Sequence, residues 1–102
     1  MPTISKTFFR GAATTTVGTV LYTVPAATSA VVTSIVVTNT AGSVGNFTLG
    51  LGGTNLATTV TVGAFDSTVI DLKQTLAAAQ TITGGASATT INFHIAGVEI
   101  TA

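Results

Sequence analysis

A two-residue alternation of apolar and hydroxyl side chains, carried largely by Val, Ile and Thr, restricts this chain to extended structure. β-Branched side chains fit a pleated surface better than a helical turn, and small turn clusters interrupt the alternation about every ten residues. From Gly18, Val20, Tyr22 and Val24 share one face and Thr19, Leu21 and Thr23 the other, until Pro25 withholds a ladder donor. Residues 30–39 carry the strongest strand signal, with Val31, Ile35 and Val37 on one side and Val32 and Val36 on the other. Apolar residues on both sides predict a strand covered on both faces.

Thr40-Ala41-Gly42-Ser43 reads as a turn, and Phe47, Leu49 and Leu51 then resume the period. Gly52-Gly53-Thr54-Asn55 is the next turn, followed by Leu56 to Val62, a turn around Gly63 to Asp66, and the run Thr68 to Leu72. Leu76 to Ala79 is too short for a stable helix and is expected to connect into Thr81-Ile82-Thr83. Gly84-Gly85-Ala86-Ser87 is expected to turn the chain into its last strand, Thr90 to Ile100. There Ile91, Phe93 and Ile95 alternate, but Val98 and Ile100 fall out of phase, which predicts an extra residue at Ala96-Gly97. About eight short strands with such turns predict a single antiparallel β-sandwich, jelly-roll-like or immunoglobulin-like.

The chain's 102 residues hold one domain, and only six carry a formal charge: Lys6, Arg10 and Lys73 against Asp66, Asp71 and Glu99. So neutral a surface does little to keep copies apart, and the composition points to association. Three scattered basic residues give no stripe for nucleic acid or an anionic membrane. Polar residues or Gly interrupt every apolar run well before a spanning helix could form. The first ten residues lack the layout of a secretory signal, so synthesis in a cytoplasm is expected. Without cysteine there is no disulfide or thiolate chemistry.

His94 is the only histidine, and a hydrolytic site would require a hydroxyl beside it and Asp66, Asp71 or Glu99 behind it. No spacing singles out such a set, so a packing or hydrogen-bonding strand histidine is expected, with no catalytic residue, cofactor or metal. Asp66 and Asp71 flank a strand, where carboxylates cap turns or face water, and Lys73 is placed to pair with Asp71. Residues 1–17 differ from the sandwich expected over 18–102 and read as an N-terminal arm. Adjacent residues of an extended chain face opposite ways, so Phe8 and Phe9 cannot both enter one core. Phe8, Phe9 and Arg10 are therefore the expected partner-binding residues; the competing expectation is a first strand that covers its own sandwich.

Arg10-Gly11-Ala12-Ala13-Thr14, Leu21-Tyr22-Thr23-Val24-Pro25-Ala26, Ile35-Val36-Val37-Thr38-Asn39-Thr40, Val69-Ile70-Asp71-Leu72 and the ending His94 to Ile100 together carry a resemblance. Over about residues 10 to 100 the chain resembles small β-sandwich virion proteins of tailed bacteriophages, including head decoration (cement) proteins and neck or tail spike modules. That resemblance implies a capsid-surface structural protein without enzymatic activity or cofactor. It also implies a homo-oligomer, often a trimer, held on the major capsid protein. A neck, tail or fibre-knob module that binds a host glycan is the alternative it leaves.

Overall fold

The computed structural model describes residues 3–101, which form eight strands: β1 (Thr3–Ala12), β2 (Thr19–Thr23), β3 (Thr28–Asn39), β4 (Gly45–Leu51), β5 (Thr54–Val62), β6 (Ser67–Leu76), β7 (Thr81–Ala86) and β8 (Ile91–Thr101). They build two antiparallel four-stranded sheets, ordered β1-β8-β3-β6 (the β8 sheet) and β2-β7-β4-β5 (the β7 sheet). Only β4–β5 is a hairpin within one sheet, closed by Gly52 and Gly53 at positive φ; every other connection crosses between sheets. This winding is that of a jelly roll, which settles the choice against immunoglobulin-like connectivity.

The core lies between the sheets, where Val32, Ile35, Val37, Phe93 and Ile95 of the β8 sheet meet Phe47, Leu49 and Ile82 of the β7 sheet. Phe47 and Phe93 meet edge to face with centroids 6.1 Å apart. The β3 phase differs from the sequence expectation. Thr33 is an extra residue in its pairing with β8, so Val32 joins Ile35 and Val37 on the core side while Val31 and Val36 turn outward.

The irregularity expected inside β8 lies in its neighbours instead. β8 alternates without a break: Gly97 and Glu99 face inward, and Val98 and Ile100 outward. The extra residues are Phe8 in β1 and Thr33 in β3, on either side of Ala96-Gly97. Gly97 explains the position, because a Cβ there would lie 1.9 Å from the Val31 carbonyl oxygen and 2.8 Å from the Phe8 ring. Both neighbours close over the space that glycine leaves.

Residues 3–12, expected to belong to an arm, are paired along β8 as the first strand of the sheet. The premise that one Phe ring must leave the core fails at the bulge. Phe9 pairs with inward-facing Ile95, and the extra residue Phe8 also turns its ring to the core side. A second correction concerns Gly84 and Gly85, expected in a turn but lying within β7. A Cβ on Gly84 would meet Leu49 at 2.7 Å, and one on Gly85 would meet the Thr16 carbonyl oxygen at 2.5 Å, so close packing requires both glycines. The turn falls at residues 87–90.

Candidate interaction surface

The β1–β2, β3–β4, β5–β6 and β7–β8 connections gather at one end of the sandwich, joined by backbone hydrogen bonds. Phe65 N–H donates to the Ala41 carbonyl, Thr40 N–H to Thr90, Ala86 N–H to Thr14 and Ser87 N–H to Asn46. Asn39 anchors the cluster from inside. Its side-chain amide, almost fully buried, donates to the Ser43, Val62 and Gly63 carbonyls, and its oxygen accepts from Ala41 N–H. Thr14 and Thr19 join hydroxyls at 2.7 Å, and Thr19 donates to the Thr16 carbonyl, which holds the β1–β2 loop.

This tied end presents apolar side chains to water. Phe65 is 77% exposed, Val44 67% and Val17 59%, while Asp66 is the only charged residue in the four connections. Phe65 also sits at φ +53°, a left-handed conformation that costs a bulky residue roughly 1–2 kcal/mol. The Asp66 carboxylate accepts from Ser67 N–H at 2.8 Å, the turn-capping role expected of it. The signal that could have found Phe65 is its place in Gly63-Ala64-Phe65-Asp66: an aromatic inside a turn between two strands has no core within reach.

The residues expected to bind a partner are placed otherwise. Phe8 is only 6% exposed and its ring lies 4.5 Å from that of Tyr22, centroid to centroid. Phe9 is half-buried against the core, and Arg10 is exposed on the outer face beside His94. Toward the opposite end of the sandwich, the Tyr22 hydroxyl donates to Glu99, whose carboxylate is nearly buried and lies 3.9 Å from Lys6 Nζ. Burial, then the hydrogen bond and the charge of Glu99, push the Tyr22 phenol well above its usual range. Tyr22 is thus turned into the fold.

His94 lies on the outer face of β8 between Arg10 of β1 and Val36 of β3. Asp71 is two strands away across β3, so the structure does not bring these groups into a catalytic set. Asp71 and Lys73 face the same side of β6, but among the described residues the one ion pair is Lys6–Glu99. A hollow of about 470 Å³ beside Thr33, Asp71, Leu72 and Lys73 marks the register shift between β3 and β6. No protein-family model matches the chain, and no curated protein matches it.

Proposed function

We propose that this chain is a structural virion protein of a tailed bacteriophage, a decoration (cement) protein that binds the major capsid protein on the head surface and has no enzymatic role. The observation that carries the reading is the hydrogen-bonded loop end offering Val17, Val44 and Phe65 with a single charge nearby. A rigid apolar end suits docking onto another protein, because little ordering entropy remains to be lost on contact. The resemblance in the strand motifs supplies the particle, and the jelly roll agrees with it as an architecture common among capsid domains. The contact moves from Phe8, enclosed by its own sandwich, and half-buried Phe9 to the loop end.

Repetition supplies the mechanical effect: each copy buries apolar area at roughly 25 cal/mol per Å², and many copies on one shell add up. Binding to undecorated heads tests the reading, with Phe65→Gly as the informative variant. Glycine relieves the backbone at φ +53° and removes the ring, so the isolated chain should melt within a few degrees of wild type while attachment weakens about tenfold or more. Raising salt from about 0.05 to 1 M should leave wild-type attachment nearly unchanged, because screening acts on exposed charges. Hundreds of copies per virion would support head decoration. About three to twelve would favour the neck, tail or glycan-binding alternative, and normal attachment of Phe65→Gly would overturn the loop-end contact.

A further inference from the structure

The outer face of the β8 sheet has the layout of an interface. Its two central strands present Val31, Val36, Ala96, Val98 and Ile100 with no formal charge among their outward positions. The charges stand at the rims: Arg10 on edge strand β1, Asp71 and Lys73 on edge strand β6. A centre of valines and neutral polar residues without formal charge, inside a charged rim, follows the way protein interfaces deplete charge at their core. The register aligns Arg10, His94, Val36 and Val69 in one row across the sheet, and Thr7, Ala96, Ser34 and Asp71 in the next.

We propose that this face pairs with the same face of a second copy about a two-fold axis running along the strands. Such an axis lays β1 of one copy over β6 of the other. Arg10 then stands opposite Val69 of the second copy, and Asp71 of that copy is one row further along, about 7 Å and within reach of a guanidinium. Two-fold symmetry forms the pair twice. The two Arg10 side chains lie at opposite rims, as do the two Lys73, so no like charges meet. Between the rims β8 of one copy lies over β3 of the other, so Val31 meets Val98 and Val36 meets His94 of the second copy. Four strands spaced ~4.8 Å apart and about ten residues long give roughly 500 Å² a side, about 1,000 Å² in all, at the lower bound for a specific pairing.

This self-association goes beyond the attachment proposed above and fails separately from it: a single-copy protein that still binds heads through Phe65 overturns the pairing alone. Sedimentation equilibrium of the full chain at about 5 to 500 µM, in low salt, should give the mass of two copies. Arg10→Asp or Asp71→Arg alone places like charges together and should weaken pairing about tenfold or more, while the double exchange should return it to within about threefold of wild type. Val98→Asp should give a single-copy mass with the strand circular dichroism of wild type, which separates lost pairing from lost folding. A single-copy mass for wild type throughout, a three-copy mass, or a double exchange no better than the single ones would overturn the proposal.

Discussion

The two sheets share one core yet differ in how they meet their surroundings. Five of the six formal charges, Lys6, Arg10, Asp71, Lys73 and Glu99, lie on the β8 sheet; the β7 sheet has none, and Asp66 lies in a loop. The β8 sheet guards its edge strands with four of them, Lys6 and Arg10 on β1 and Asp71 and Lys73 on β6, while Glu99 is buried on central β8. The edges of the β7 sheet are guarded by shape. β2 is only five residues long, and β5 breaks register with β4 at Leu49, near which Thr59 takes a left-handed φ of +50° and gives its N–H to the Thr48 hydroxyl. The outer faces diverge in the same sense. Central positions of the β7 sheet carry Thr83, Thr48, Gly50 and Gly85, small residues of which all but Thr83 are buried, whereas the β8 sheet offers half-buried valines framed by opposite charges. Low overall charge thus has two local meanings: a face closed by its own loop and backbone contacts at Thr48 and Gly85, and a face set up to be covered by another molecule.

The largest effect expected from breaking this comparison comes at paired glycines. Gly97→Ala drives a methyl into a backbone carbonyl at 1.9 Å and should cost more than about 4 kcal/mol, leaving the chain largely unfolded by circular dichroism. Gly84→Ala meets the end of the Leu49 side chain and should cost roughly 1–3 kcal/mol, read as a lower melting temperature. Equal costs would mean that the two sheets tolerate crowding alike. Next come the rings of β1. Phe8→Ala should destabilise the isolated chain by about 3 kcal/mol and Phe9→Ala by about half that, because Phe8 is enclosed and Phe9 only half so. Unchanged melting in both would return the rings to a role outside the fold.

A smaller effect concerns Tyr22, where the sheets touch through a hydrogen bond to Glu99. The folded state holds the phenol proton more tightly than the unfolded chain does. That contribution is complete below about pH 10, the ordinary tyrosine value, and is lost as pH rises beyond it. Tyr22→Phe should lower stability by about 1 kcal/mol at neutral pH and flatten the loss of melting temperature between about pH 10 and 12. An identical alkaline profile in the variant would remove Tyr22 as the source of that loss.

Much of this was legible in the sequence. The alternation that buries Phe47, Leu49, Phe93 and Ile95 marked those strands, and Gly52-Gly53 marked the one hairpin. The winding was not legible, because period two states that a strand has an inner face without stating which sheet it joins. β1 was hidden by its bulge: two adjacent aromatics read as facing apart, and only an extra residue between the Thr7–Ala96 and Phe9–Ile95 pairs lets both turn inward. Gly84 and Gly85 carried the composition of a turn while serving close packing, a requirement set by Leu49 and the β1–β2 loop from elsewhere in the chain. The loop end was obscured for a related reason. Phe65 takes its exposure from the turn that holds it, and the apolar partners at that end, Val17 and Val44, come from distant segments.

The contrast between the two outer faces is tested most directly by amide chemical shifts of the unmodified chain, followed as its concentration rises from about 5 to 500 µM across the range expected for a small interface. Shifts should move at Val31, Val36, His94 and Val98 of the β8 sheet and remain fixed at Thr48, Thr83 and Gly85 of the β7 sheet. Movement confined to the β7 sheet, or of equal size on both, would contradict the assignment of association to the β8 face alone.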